Sequence, residues 1–305
     1  MMDTERKVNI REEFGTLFAQ GDFKKLYDCA SEEFKHQVSL QQFLEQSKLF
    51  NQGEQFYRLE TNLYLTPQIE QFIWLNSTQT KFISVIFDEH NIIQALVIAP
   101  IESFSERDRW STNKYTMPIQ SEWFVYWGGK HEVLNYHHPV ENQRYAYDLV
   151  VRKGKQSYKN DGMKNEDYYA YGKKVVAPLE GVVITAVDDQ EDNEIGHTNK
   201  KRPLGNHVIV EHEGKEYSVL AHLKKGSVSV KKGDVVRKGT LLGRCGNSGN
   251  SSEPHIHFHV MDAADIETSK SLRIQFHAAV EPIRGDTVIP FFYAGISSNI
   301  KSSSR

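Results

Sequence analysis

Apolar positions recur at helical spacing through the first fifty residues and then switch to alternation. Ile10, Phe14, Leu17 and Phe18 fall on one face of a helix. Gly21-Asp22 breaks that helix, and Asp22 can cap a second, whose apolar side carries Leu26, Tyr27, Cys29 and Ala30. Ser39 starts a third, with Phe43, Leu44 and Leu49 inward and Glu45 and Lys48 outward. From Glu54 to Ile101 the period is two. Segments 56–59, 61–65, 71–75, 81–87 and 93–98 read as antiparallel strands, with Asp88-Glu89-His90-Asn91 as a hairpin turn. Three helices followed by a run of strands predict an α+β layer domain over residues 1–102.

Residues 103–118 are polar and lack a period, so they read as a linker. Beyond Pro118 the pattern is all-β, with strands at 122–127, 144–150, 174–178, 181–187, 207–212 and 217–222. Many short strands with Gly-rich turns predict an antiparallel sandwich or open barrel over 119–305. Two long polar loops, 152–170 and 188–205, are expected to wall a substrate groove. The turn-strand unit 232–243 has the rhythm of lipoyl or biotinyl carrier domains but lacks their lysine tripeptide, so it reads as scaffold. Gly246 to Ser252 reads as a flexible turn that delivers the next strand.

That strand is Pro254-His255-Ile256-His257-Phe258-His259-Val260. Alternation sends Ile256, Phe258 and Val260 to a core and His255, His257 and His259 to the other face. Three imidazoles on one face pack poorly but suit a metal, because neutral imidazole is the commonest zinc ligand. An isolated His-x-His is more often an incidental feature of a polar sheet face. Here other pieces accompany it: His137 after Asn135-Tyr136, Asp148 at the end of Asn142-Gln143-Arg144-Tyr145-Ala146-Tyr147, and Ala221-His222-Leu223. A catalytic zinc site needs three nitrogen or oxygen ligands and one open position. Two histidines and a carboxylate meet that need and leave two histidines over.

Over residues 119–285 these motifs resemble the lysostaphin-type zinc metallopeptidases, which cleave short peptide bridges in bacterial cell walls. Ala221-His222-Leu223, Gly246-Asn247-Ser248-Gly249 and His255-Ile256-His257-Phe258 stand in the family's order. The resemblance implies one Zn2+ per chain held by His137, Asp148 and His257, with His222 and His255 as catalytic histidines. The spacing departs from the best-known members, which keep the first histidine and the aspartate three residues apart; here ten residues separate His137 from Asp148. His137 is placed ahead of its neighbour His138 as first ligand, and which of His222 and His255 is the general base stays open. His259 stands where the family usually carries another polar residue, and is read as orienting a ligand from behind. The layout of 1–102 resembles the nuclear-transport-factor-like cone domains found ahead of bacterial hydrolases. It carries no catalytic constellation and reads as a spacer, docking or ligand-holding module.

Composition narrows the remaining choices. With 305 residues, 39% hydrophobic, the chain can bury two cores. A formal net charge of −3 argues against nucleic acid as a partner. Two distant cysteines, Cys29 and Cys245, form neither a zinc ribbon nor a disulfide framework. No stretch approaches the apolar length of a membrane span, and no signal peptide is visible. The location expected as written is therefore cytoplasmic, or the cell wall if the start is incomplete or export is unconventional. The expected partner is a peptidoglycan peptide, as substrate of a zinc endopeptidase. The alternatives are a non-catalytic relative that binds wall peptide or activates a hydrolase, and a binding module led by the N-terminal domain.

Overall fold

In the computed structural model, residues 9–102 and 109–290 are described. Residue contacts divide the chain into two units, Met1–Ser105 and Glu106–Arg305. In the first, helices α1 (Ile10–Gln20), α2 (Phe23–Asp28), α3 (Glu32–Gln37) and α4 (Leu40–Phe50) precede a four-stranded antiparallel meander. Its strands are β1 (Tyr57–Thr66), β2 (Ile69–Asn76), β3 (Lys81–Asp88) and β4 (Ile93–Pro100). The sequence pattern predicts three helices; the fourth, α3, was missed because it buries only Phe34 in six residues. Its signal lay in the cap, where the Ser31 side chain accepts from the Phe34 amide. Ser39 and Gln42 close a full capping box at α4. Segments 56–59 and 61–65 are one strand, β1, interrupted by a register shift between Leu59 and Thr61. Phe14, Phe18, Leu26, Trp74, Ile83 and Phe87 form the core between helices and sheet.

The second unit holds strands β5 (Trp110–Tyr115), β6 (Trp123–Trp127), β7 (Tyr147–Val150), β8 (Lys174–Val176), β9 (Gly181–Val187), β10 (Asn206–Glu211) and β11 (Tyr217–Leu223). They are followed by β12 (Val235–Val236), β13 (Leu241–Arg244), β14 (Ile256–Met261), β15 (Ser271–Phe276) and β16 (Thr287–Val288). One large sheet runs β12-β9-β10-β11-β14-β7-β6-β16, with β15 branching from β14 and β5 from β15; β13 and β8 form a small ribbon. Strand β14 sits between β11 and β7. Its Ile256, Phe258 and Val260 are fully buried in the main core with Val208, Val210 and Leu220. The opposite face carries a smaller cluster of Ile209, Val219, Ala221 and Met261 beside the histidines. No helix among the described residues is long and apolar enough to cross a membrane.

The stretch read as linker is only partly one. Residues 103–108 lie outside the described residues, but Trp110–Tyr115 is strand β5 and pairs in parallel with β15, the one parallel pair among the described strands. An edge strand needs no alternating pattern when a partner supplies its polar contacts, and here Glu216 does so. Its buried carboxylate accepts from the Thr112 amide and hydroxyl, the Asn113 amide and side chain, and the Tyr115 hydroxyl. Burial by itself raises the Glu216 carboxyl, but the hydrogen bonds from Thr112, Tyr115 and Asn113 outweigh it and hold it below the ordinary value. Glu216→Ala leaves these donors without an acceptor and is expected to cost about 2–4 kcal/mol of stability in urea unfolding. Because the folded-state pKa is depressed, this contribution is full above the unfolded glutamate pKa, about 4.3. It disappears as pH falls through the lower folded value. The gap between wild type and variant should therefore narrow in acid; a gap that is constant down to acid pH would refute the clamp.

Candidate metal centre

Strand register builds the centre of the site. His257 on β14 pairs with Asp148 on β7 at one side and with Ala221 on β11 at the other. Directly paired residues share a face, so the carboxylate and the imidazole meet without any special turn. His257 Nδ1 lies 3.0 Å from Asp148 Oδ1. The second carboxylate oxygen, Oδ2, is 3.0 Å from His137 Nε2.

His137 comes from a turn rather than a strand. The buried Asn135 ties that turn down: its Nδ2 donates to the carbonyls of Gly129, Arg144 and Ala146, and its Oδ1 accepts from the His137 amide. Because Ala146 leads directly into β7, Asn135 bridges the ten intervening residues and returns His137 to Asp148. His138 goes elsewhere: its ring packs edge-on against Tyr145. Of the two adjacent histidines, His137 is thus the one brought to the carboxylate. Tyr136 packs on His137 at 4.0 Å between centroids and on Trp127 at 5.2 Å, forming an aromatic wall beside the site.

His222 reaches the same place by a distortion. Regular alternation would turn it to the face opposite Ala221. Instead the β10–β11 register shifts between Asn206 and Val208, and His222 adopts φ 63°. This is a bulge with a non-glycine residue in the left-handed region, a conformation that costs about 1–2 kcal/mol. The bulge re-aims the ring, which ends 4.7 Å from His255 and 5.8 Å from His257. His255, two residues before His257 and on its face, places Nε2 3.7 Å from Asp148 Oδ1.

The rings are held by backbone acceptors. His222 Nδ1 donates to the Ser248 carbonyl at 2.8 Å and His255 Nδ1 to the Glu253 carbonyl at 2.9 Å. A neutral imidazole that donates through Nδ1 keeps Nε2 as a proton acceptor. Both acceptors sit in the Gly246–Ser252 region or just beyond it. That turn, expected to be flexible, is buried at Asn247, Ser248 and Ser251 and densely bonded. The Asp192 carboxylate accepts from the Asn247 amide, and Asn193 Nδ2 donates to the carbonyls of Gly249 and Ser251. Gly205 and Gly249 are glycine for a packing reason: a Cβ on Gly205 would lie 2.4 Å from the Ser248 backbone, and one on Gly249 2.4 Å from the Gly205 nitrogen. Asp192 and Asn193 were not singled out from sequence, because their partners in the Asn247–Ser251 turn lie more than fifty residues along the chain.

Burial penalises the Asp148 carboxylate, yet the charges of His137 and His255 and the hydrogen bonds from His137 and His257 pull its pKa well below the ordinary range. His257 is shifted down by burial, against the bond to Asp148, and His222 well down by burial and by its histidine neighbours. These shifts favour an anionic Asp148 and a neutral His257, the protonation states that metal ligation requires of those two residues. One nitrogen or oxygen from each of His137, Asp148 and His257 lies within 4.8 Å of the others, and all three residues are buried. Two imidazoles and one carboxylate are a donor set suited to catalytic zinc. The set fits the ion that the sequence motifs imply.

A cavity of about 500 Å³ opens beside His255 and Asp148, with Tyr126, Trp127, Tyr136, Thr198 and Glu253 among its walls. The two long loops divide their work. Thr198 of 188–205 lines the cavity, whereas no residue of 152–170 does. The latter loop instead braces the former: Asn165 Nδ2 donates to the Asn193 carbonyl, and Asn247 Nδ2 to Asn165 Oδ1.

With this geometry in hand, residues 163–269 match the sequence profile of Peptidase family M23. Among curated proteins, the chain is 37% identical over 82 residues to glycyl-glycine endopeptidase ALE-1 of Staphylococcus capitis, covering 27% of this chain and 22% of that protein. It is 35% identical over 82 residues to peptidoglycan DD-endopeptidase ShyB of Vibrio cholerae, covering 24% and 19% respectively. The match thus spans about a fifth of each relative's length. Among solved structures, the catalytic domain of lysostaphin from Staphylococcus simulans aligns with a TM-score of 0.29 and 19% identity, over 50% of this chain and 88% of that one. The profile match contains His222, His255 and His257, while His137 and Asp148 lie outside it, and it falls on less than the whole chain.

Proposed function

We propose that the chain is a zinc-dependent endopeptidase that hydrolyses peptide bonds of bacterial peptidoglycan, in the cross-bridge or the stem peptide. The observation that carries this reading is the convergence of His137, Asp148 and His257, with His222 and His255 on the same side. The named relatives, both endopeptidases and one of peptidoglycan, support the substrate class.

His137 Nε2, His257 Nδ1 and the Asp148 carboxylate would hold the ion, which supplies Lewis-acid activation of water and of the scissile carbonyl. The remaining work falls to the chain. One of His222 and His255, with Nδ1 anchored on a carbonyl, takes the proton of the attacking water at Nε2 and returns it to the leaving amine. The other, with Nδ1 already donating to a carbonyl, donates from Nε2 to the oxygen that gains charge only in its protonated form, as the imidazolium. The aromatic wall of Trp127 and Tyr136 and the carboxylate of Glu253 border the cavity in which the peptide would lie. Burial raises the Glu253 carboxyl against the opposing effect of His255 and Arg152.

The test is metal analysis of the purified chain together with mass spectrometry of peptidoglycan fragments before and after incubation. One zinc per chain and a new amino terminus at a single peptide bond are expected. Zinc-loaded protein that leaves cross-bridged and uncross-linked fragments intact would overturn the reading.

A further inference from the structure

Behind the candidate ligand His257 stands a second imidazole. His259 lies two residues on, on the same face of β14, and is fully buried. Its Nδ1 is 2.9 Å from His257 Nε2. Its own Nε2 is buried and meets no protein hydrogen-bond partner among the described residues. A buried N–H left in that state costs about 1–3 kcal/mol, so packing alone favours an apolar residue here. The register gives the position apolar company, since His259 pairs with Val219 across β11.

We propose that His259 is a positioning residue that holds the metal-competent tautomer of His257 once the ion takes its Nδ1. The inference rests on the zinc reading above. Two ring nitrogens 2.9 Å apart share one proton between one donor and one acceptor. When His257 gives its Nδ1 lone pair to an ion beside Asp148, its proton must sit on Nε2. His259 Nδ1 must then be the acceptor, and the His259 proton sits on Nε2. In the metal-free centre the reverse pair fits, with His257 Nδ1–H on Asp148 and His259 Nδ1–H on His257 Nε2; once the ion takes Nδ1, the His259 acceptor holds the Nε2–H form and fixes the plane of the ring towards Asp148. Groups of this kind behind metal-binding histidines are most often carboxylates or carbonyls. A neutral imidazole orients the ligand equally well while adding no negative charge to the centre.

The test compares zinc affinity in wild type, His259→Leu and His259→Gln, by competition with a chromophoric chelator, alongside thermal unfolding of each metal-free protein. His259→Leu is expected to bind zinc about 10–100-fold more weakly without loss of metal-free stability. His259→Gln, whose side-chain oxygen can accept from His257, is expected to recover most of the affinity. Nitrogen-15 shifts of the zinc-loaded wild type should show a bare Nδ1 and a protonated Nε2 on His259. Undiminished affinity in a folded His259→Leu protein, or a protonated Nδ1 on His259 in the zinc-loaded protein, overturns the proposal. If His259→Leu fails to fold, the glutamine variant and the tautomer measurement decide it. A wild-type chain that binds no zinc removes the functional reading itself, and that result is seen without any variant.

Discussion

His257→Ala is expected to abolish zinc binding and peptide hydrolysis together. Its Nδ1 is one of three converging donor atoms, and the other two cannot close the set alone. Losing a group behind a ligand costs about 10–100-fold in affinity, so losing the ligand itself should exceed about 10³-fold. Activity should fall at least as far, because both the activated water and the stabilised oxyanion depend on the ion. The substitution also removes a hydrogen-bond partner from the buried Asp148 and opens a gap between β7 and β11. Some loss of stability is therefore expected, and circular dichroism at the assay temperature must confirm that the variant is folded. Zinc content by atomic absorption and fragment release by mass spectrometry are the two readouts. A folded variant that keeps either one contradicts the assignment of His257.

The second large effect is of a different kind. His222→Ala should retain zinc within several-fold but lose turnover by about 10²–10⁴, the usual worth of a positioned proton-transfer group. The ring is not among the three converging donors, yet the bulge brings it to 4.7 Å from His255 and 5.8 Å from His257. Because His222 holds φ 63°, the alanine variant keeps the strained backbone but loses the Ser248 anchor. His222→Asn is the better control, since asparagine accepts left-handed backbone more readily than most residues. Equal losses of kcat in the two variants, with zinc retained, assign the defect to the missing imidazole rather than to backbone relaxation. Loss of zinc in the asparagine variant would instead make His222 part of the metal set.

How much of this was legible beforehand varied by element. Strands such as Val208 to Glu211 and Tyr217 to Leu220 were read correctly because short runs rich in apolar and β-branched residues, bounded by turns, mark strands buried on both faces. Strand β5 was read as linker because its stability comes from Glu216, a hundred residues away, and not from its own pattern. Helix α3 escaped because a two-turn helix with one buried side chain has almost no period to detect. The turn at 246–252 looked flexible by composition; its glycines and asparagines serve close packing against Gly205 and the Asp192-Asn193 bonds.

The sequence alone settled that His255, His257 and His259 share a face and that Ile256, Phe258 and Val260 share the other, since alternation is a local property of an extended chain. It also determined the residue types, two imidazoles and a carboxylate, that an ion could use. Tertiary structure decided which atoms meet. The β7–β14 register sets Asp148 against His257, Asn135 folds the insertion so that His137 rather than His138 arrives, and the bulge opposite β10 swings His222 across to the others. Register, insertion geometry and bulges depend on contacts between distant segments, and no periodicity along one segment can encode them.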